Sequence, residues 1–236
     1  MPDRSASRAR PASAPIEPGA AAASVRTVVH LLRHGLVENP SGVLYGRLPD
    51  FHLSTVGKAM AEKVADHLAG ADIGYLAASP LERAGETAAP LAATLGLPVV
   101  TDERLIEPTN VFEGTRFSVG DGVLRRPRYW PAVRNPFQPS WGEPYLDIAH
   151  RMLGAVYSAV HAAAGHEAVL VSHQLPIWTL RRYLEGRRLW HNPSKRQCGL
   201  ASLTSLHFED GVFRRLRYSE PAGDIVPQRT TGQTGA

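Results

Sequence analysis

Apolar residues along the chain fall into short uninterrupted runs and into longer stretches where they recur every three or four positions. The runs are typical of buried strands, and the longer period is typical of helices that bury one face. The runs predict strands at 25–32, 73–78 and 168–172. The periodic stretches predict helices at 54–70, 79–96 and 145–164, and one that begins at Gln174. Strands that alternate with helices predict an α/β three-layer sandwich, with a mostly parallel sheet and helices on both faces.

Residues at the predicted helix ends support two of these helices. Ser54 is a favourable N-cap for the first helix, and Gly70 follows its last apolar position. Ser79 and Pro80 predict an N-cap and first-turn pair for the second helix, which Gly96 closes. Serine accepts from free backbone N–H groups, proline fits the first turn, and glycine adopts the left-handed conformation that ends many helices.

The last apolar segments predict a β-hairpin. Segments 200–208 and 212–218 flank Glu209, Asp210 and Gly211. An Asp-Gly pair between two apolar runs favours a tight β-turn. The sheet is therefore predicted to finish with an antiparallel edge.

Residues 109–141 fit neither pattern and are predicted to form a lid insertion. A connection of this length inside a compact domain is usually a binding loop. Its arginines are Arg116, Arg125, Arg126, Arg128 and Arg134. Two interpretations stay open, that these arginines select substrates with a second anionic group or that they only aid solubility.

The length of 236 residues predicts one catalytic domain, assigned to residues 25–221, with the lid inserted in it. Residues 1–24 are rich in Ala, Pro, Ser and Arg and are predicted to be a disordered tail; a transit peptide is the alternative. Residues 222–236 lose the periodicity and are predicted to be a second tail.

Charge and cysteine content narrow the classes of partner and compartment. The 26 Lys and Arg against 22 Asp and Glu give a net charge of +4, which suits an anionic small molecule or a weak contact with a polyanion and falls short of a nucleic-acid binder. The single cysteine, Cys198, excludes an internal disulfide and favours a reducing compartment. No apolar run is long enough to span a membrane, so we expect a soluble, cytoplasmic protein. A homodimer is left open.

Residues that follow the predicted strands carry the candidate chemistry. Ligands of open parallel sheets bind beyond the carboxyl ends of the strands. Arg33 and His34 follow the first strand, Arg83 the second and His173 the third, while Glu107 follows a short strand around 99–100. Two guanidinium groups, two imidazoles and a carboxylate at one sheet edge predict a phosphate site, because guanidinium binds phosphate oxygens bidentately. The backbone N–H groups at the helix starts after Ser79 and His173 are predicted to contribute.

Each of these side chains has a predicted role. Histidine is largely neutral at pH 7, so a ring nitrogen of His34 can attack phosphorus without a separate base. His173 is predicted to act as a cation. Glu107 is predicted to stay protonated through burial and to donate a proton to the leaving group.

Other routes of phosphoryl transfer lack their motifs. There is no G-x-x-x-x-G-K-[ST] phosphate loop and no H-E-x-x-H. Thr204 stands six positions after Cys198, where a cysteine-based phosphatase needs arginine. His30 and His34 lie across a strand end, which is a poor arrangement for zinc. No metal or other cofactor is expected.

The motifs together resemble those of the histidine phosphatase superfamily, which includes the cofactor-dependent phosphoglycerate mutases, over residues 27–218. The motifs are Leu31-Leu32-Arg33-His34-Gly35, Leu53-Ser54 with Gly57, Ser79-Pro80-Leu81-Glu82-Arg83-Ala84 with Thr87-Ala88, Arg104-Leu105-Ile106-Glu107 and Val171-Ser172-His173. The resemblance implies a phosphohistidine at His34, a phosphate pocket of Arg33, Arg83 and His173, and Glu107 as the acid.

Several positions depart from the family pattern. Val37 replaces a common hydroxyl residue, and the usual asparagine is either shifted to Asn39 or replaced. Arg47 is predicted to contact the phosphate instead. Gln174 replaces a glycine and is predicted to reach the pocket mouth. Residues 108–110, Pro-Thr-Asn, weaken the resemblance to the mutases. The sequence therefore favours a phosphatase of a small phosphorylated metabolite; a phosphomutase and a silent phospho-ligand-binding module are the alternatives.

Overall fold

A computed structural model describes residues 24–116 and 142–225 of the chain. The predicted N-terminal tail lies almost wholly outside these residues, as does most of the predicted lid, including Arg125, Arg126, Arg128 and Arg134. The start of the lid lies beside the residue that follows its end, because Asn110 and Gly142 form an antiparallel bridge.

A six-stranded sheet forms the centre of the described structure. Its strands are β1 (Arg26–Arg33), β2 (Ile73–Ala78), β3 (Val100–Thr101), β4 (Glu167–Ser172), β5 (Leu203–Glu209) and β6 (Val212–Ser219). Their order is β3-β2-β4-β1-β5-β6, with parallel pairing from β3 to β1 and antiparallel pairing from β1 to β6. The predicted parallel sheet with an antiparallel edge is confirmed.

Four α-helices in the described residues cover the two faces of this sheet. They are α1 (Thr55–Leu68), α2 (Glu82–Leu95), α3 (Tyr145–Ala162) and α4 (Gln174–Leu184). Leu32 of β1 packs with Met60 and Leu91 of α1 and α2, whereas Leu31 packs with Met152 of α3 and with α4. Neighbouring strand residues point to opposite faces, so β1 joins both layers of the core. This arrangement confirms the predicted three-layer α/β fold. None of the helices in the described parts of the chain is long and apolar enough to cross a bilayer.

The predicted start of α2 is wrong. The helix begins at Glu82 after the extended Leu81, which makes no side-chain cap bond. The Ser79 hydroxyl oxygen accepts from the N–H of Leu81, ahead of the helix, at 3.4 Å, but its shorter contact, at 2.7 Å, is with Nε2 of His173 in the site. The other end agrees with the prediction, because Gly96 caps the helix with φ of 66°.

The hairpin is confirmed, with a later start than predicted. Its turn contains Asp210 and Gly211 with φ of 52° and 73°, the left-handed pair that a type I′ turn requires. Pairing begins at Leu203 and not at Leu200, because the backbone bends at Ala201, whose φ is 51°. That bend brings the N–H of Ala201 to the carbonyl of His34 at 3.3 Å.

The predicted C-terminal tail starts too early. Ala222 is buried with α1 and α2, and Asp224 forms an ion pair with Lys63 of α1. A single alanine and a surface charge carry no periodic signal, so the sequence pattern could not show that this segment packs. Residues 226–236 of that prediction lie outside the described residues.

The start of α1 is packed directly on the loop that follows β1. Ser54 caps the helix by accepting from the N–H of Gly57 at 3.1 Å, and its own N–H donates to Leu36 at 2.9 Å. A Cβ atom at Gly57 would overlap the Leu36 carbonyl. At Gly35 a Cβ atom would lie 2.6 Å from the carbonyl oxygen of Gly57. The two glycines therefore let two backbone segments approach more closely than any side chain allows.

This contact predicts that Gly57→Ala destabilises the protein. In an open helix position Gly→Ala adds about 0.5–1 kcal/mol of stability, but here we expect a loss of about 1–3 kcal/mol because backbone must move. Gly85→Ala in α2 is the control, since nothing lies within 4 Å of its Cβ position. Denaturant unfolding should show opposite signs for the two variants. If Gly57→Ala and Gly85→Ala both stabilise the protein, the tight contact between Gly57 and the loop after β1 is refuted.

Candidate active site

The five predicted catalytic residues meet beyond the carboxyl ends of β1, β2 and β4. Parallel neighbours end at the same edge, and backbone bonds hold the ends together. The N–H of His34 donates to Ser172 at 3.0 Å, and the N–H of Ser79 donates to Val171 at 2.9 Å. His34, Arg83 and His173 are fully buried, and Arg33 and Glu107 are nearly so. The imidazole centres of His34 and His173 are 5.2 Å apart.

His34 is held in one tautomer by its own backbone. Nδ1 lies 2.8 Å from the carbonyl oxygen of Gly35, which can only accept, so Nδ1 carries the proton. Nε2 then bears a lone pair and has no hydrogen-bond partner among the described residues. Burial, followed by the charges of Arg83 and Arg33, holds the pKa of His34 well below its usual value. The ring is therefore neutral at pH 7, as a nucleophile requires.

His173 is fixed through its other nitrogen. Nε2 lies 2.7 Å from the Ser79 hydroxyl, and Nδ1 is buried without a partner in the described structure. Burial and then the charge of Arg83 hold the pKa of His173 well below its usual value. The predicted cationic form is therefore disfavoured within the protein alone. In the tautomer in which Ser79 donates to Nε2, neutral His173 carries its proton on Nδ1 and presents a donor there.

Arg33 and Arg83 are each anchored by one bond to a backbone carbonyl. Arg33 Nη1 donates to Cys198 at 2.7 Å, and Arg83 Nη2 donates to Gly46 at 2.6 Å. Arg33 Nε and both Arg83 Nε and Nη1 are buried without partners among the described residues. Each guanidinium is thus held by one end, with further donors available to an anion.

Glu107 lies beside His173 without a close ion pair to it. Its Oε2 is 3.9 Å from His173 Nδ1 and has no hydrogen-bond partner among the described residues. Burial raises the pKa of Glu107, against the lowering effect of Arg83, Arg196 and Arg33. A raised pKa favours the protonated form that a general acid needs.

Tyr45 and Thr87 complete the pocket. The Arg83 guanidinium carbon lies 4.8 Å from the centre of the Tyr45 ring, which also stands edge-on to His34. Thr87 accepts from the N–H of Gly35 at 3.1 Å and donates to the carbonyl of Arg83 at 2.7 Å, so it joins the two motifs. Thr87 was part of a recognised motif, but no signal in the sequence marked Tyr45.

The three residues predicted to bind the substrate, Asn39, Arg47 and Gln174, do not all lie in one place. Asn39 and Gln174 line a cavity of about 240 Å³ together with Arg33. Asn39 also braces its own loop through two bonds to Val43. Arg47 donates to the carbonyl of Glu107 and lies 3.6 Å from Glu143. Substrate binding by any of the three stays a prediction, as does the phosphate contact of Arg47, which already has a carboxylate partner.

Metal ligands do not cluster in the described parts of the chain. Across residues 24–116 and 142–225 there is no group of three or more His, Cys, Asp or Glu side chains placed to hold an ion. The positive charge beside His34 comes from guanidinium groups.

Comparison with known proteins places these residues in a family context. The model of the "Histidine phosphatase superfamily (branch 1)" matches residues 29–221. "Uncharacterized protein Rv0525" of Mycobacterium tuberculosis is 59% identical over 196 residues, which cover 83% of this chain and 97% of that protein. "Probable phosphoglycerate mutase GpmB" of Yersinia enterocolitica is 31% identical over 175 residues, 67% of this chain and 74% of that protein.

Solved structures agree with the sequence comparison. YhfR of Bacillus stearothermophilus superposes with a TM-score of 0.68 and 26% identity, over 80% of this chain and 94% of that one. Mycobacterial glucosyl-3-phosphoglycerate phosphatase Rv2419c superposes with a TM-score of 0.65 and 27% identity, over 84% and 98%.

Proposed function

Since the chain belongs to the histidine phosphatase superfamily, we propose that it is a phosphatase that hydrolyses a small phosphorylated metabolite through a phosphohistidine at His34. One observation carries this proposal. Six buried polar atoms of the five candidate residues have no partner among the described residues: Arg33 Nε, His34 Nε2, Arg83 Nε, Arg83 Nη1, Glu107 Oε2 and His173 Nδ1. Buried polar groups are normally hydrogen-bonded, so such a concentration indicates a site built for a polar ligand.

The chemistry of these atoms suits transfer of a phosphoryl group. The lone pair on His34 Nε2 attacks phosphorus while the bond to the leaving oxygen breaks, and Glu107 gives that oxygen its proton. The Glu107 carboxylate then takes a proton from a water molecule that attacks the phosphohistidine, which releases phosphate and restores His34. Arg33 and Arg83 neutralise the phosphoryl oxygens throughout, and His173 Nδ1 donates to one of them.

A phosphomutase is the second candidate, favoured by the 31% identity to a probable phosphoglycerate mutase. The two activities differ in the final acceptor of the phosphoryl group, which is water in a phosphatase and a second substrate molecule in a mutase. Residues 108–110 depart from the mutase pattern, so we place the phosphatase first.

A panel of phosphomonoesters tests the proposal, with glucosyl-3-phosphoglycerate and 3-phosphoglycerate among them. Phosphate release should proceed unchanged in excess chelator, because the arginines supply the positive charge at the site. Vanadate, which resembles the transferring phosphoryl group, should inhibit. A requirement for added Mg²⁺ or Zn²⁺ would overturn the mechanism, isomerised product without phosphate release would favour the mutase, and binding without turnover would favour a silent binding module.

A further inference from the structure

Arg196 lies near the site and, like Arg33 and Arg83, has no acidic partner among the described residues. Its Nε donates to His191 Nε2 at 2.9 Å, and its Nη1 donates to Gln174 Oε1 at 3.2 Å. Among residues 24–116 and 142–225 no carboxylate lies within 4.0 Å of this guanidinium. By contrast, Arg151 forms a two-point ion pair with Glu143 at 2.7 and 3.0 Å.

Both partners of Arg196 are neutral and hold it in place. His191 Nδ1 donates to the carbonyl of Leu189 at 2.7 Å, which leaves a lone pair on Nε2 for Arg196. Burial lowers the pKa of His191 to about 4, so the ring is uncharged at pH 7. Gln174 accepts from Arg196 through Oε1 and donates to Cys198 through Nε2 at 3.3 Å. The charge of Arg196 is therefore positioned by the fold but not neutralised by it.

Arg196 is also connected to the phosphate pocket. Gln174, its partner, lines the same cavity as Arg33. Cys198, two residues along the chain, gives its carbonyl oxygen to both Arg33 and Gln174. The charge of Arg196 lowers the pKa of Glu107 more strongly than that of Arg33 does. Arg196 is therefore joined to the phosphate pocket through Gln174 and the Cys198 carbonyl.

On this basis, and resting on the proposed function, we propose that Arg196 binds a carboxylate that the substrate carries in addition to its reacting phosphate. One Nη1 hydrogen and both Nη2 hydrogens have no partner among the described residues. A guanidinium presents these hydrogens as a fork that matches the two oxygens of a carboxylate. Gln174 and His191 are positioning residues, because they orient this fork.

The test compares two phosphate esters that differ at one group. In 3-phosphoglycerate a carboxylate stands where glycerol 3-phosphate has a hydroxymethyl group. We expect the protein to prefer 3-phosphoglycerate by about 10- to 100-fold in kcat/KM, the usual scale of a hydrogen bond to a charged group. Arg196→Met should reduce this preference to about onefold, because 3-phosphoglycerate should lose about 10- to 100-fold more in kcat/KM than glycerol 3-phosphate does. Arg196→Lys, which keeps the charge but loses the fork, should retain part of it.

Lys195→Met is the matched control, since Lys195 is exposed and carries the same charge one position earlier. It should retain the full preference. Equal losses on both esters in Arg196→Met, or no preference in the unsubstituted protein, would overturn the subsite. If Arg196→Met does not fold, Arg196→Lys decides, and an unchanged preference in it overturns the subsite. If neither ester is hydrolysed, calorimetric binding of the same pair tests the subsite separately from the proposed catalysis.

Discussion

Replacing His34 with alanine is expected to lower phosphatase turnover by at least about 10⁴-fold, the scale of losing the nucleophile of a covalent mechanism. The reason is that Nε2 of His34 is the only one of its ring nitrogens free to form a bond, as Nδ1 is committed to Gly35. The unsubstituted protein should also carry acid-labile, base-stable phosphate after a brief reaction with substrate. His34→Ala should carry none. Phosphate release and phosphoenzyme can be measured in the same quenched sample.

His30 provides the control for this variant. It lies on β1, the strand that His34 follows, and is buried, but its ring contacts Ser205 at 2.8 Å and Glu167 at 2.7 Å, away from the site. His30→Ala should lower the stability of the fold, but the protein should still form the phosphoenzyme. More than a trace of turnover in His34→Ala would show that the nucleophile is misassigned.

The pH profile should reflect the lowered pKa of His34. The nucleophile is active when neutral, and a group whose pKa is lowered stays neutral further into acid. We therefore expect the acid limb of kcat/KM that belongs to His34 to lie below pH 6.5, the ordinary value for histidine.

Replacing Glu107 with glutamine is expected to slow alkyl phosphates by about 10²–10⁴-fold and p-nitrophenyl phosphate by less than about tenfold. An alkoxide needs a proton in the transition state, whereas nitrophenolate is stable enough to leave without one. Glutamine preserves the shape of the side chain and removes the acid. Steady-state rates on both esters give the ratio directly.

Glu103→Gln is the control for this change, because Glu103 is an exposed carboxylate four residues earlier. Glu103→Gln should have a small and equal effect on the rates of hydrolysis of both esters. Since burial raises the pKa of Glu107, activity on alkyl esters should persist above pH 4.5 and fall as the pH rises through the raised value. Equal losses on both esters in Glu107→Gln would assign Glu107 a role in positioning the phosphate.

The sequence by itself determined the fold class and the set of candidate residues. Apolar spacing predicted the helices and parallel strands, since burial of one helix face or of a whole strand leaves a periodic record. The motifs at the strand ends named Arg33, His34, Arg83, Glu107 and His173, and the structure brings these five together. Their roles stay predictions until the variants are measured.

Only the tertiary structure decided how each side chain is used. Ser79 had the properties of a helix cap, but its proximity to His173 across 94 residues of sequence redirects its hydroxyl. The charge state of His173 depends on burial and on Arg83, neither of which is visible in local sequence. Tyr45 and Arg196 belong to no sequence motif. Tyr45 is recognised because folding places its ring against Arg83. Arg196 is recognised because folding leaves it without a counterion among the described residues. Local propensity is recorded in spacing, whereas desolvation and charge pairing arise between residues distant in the chain.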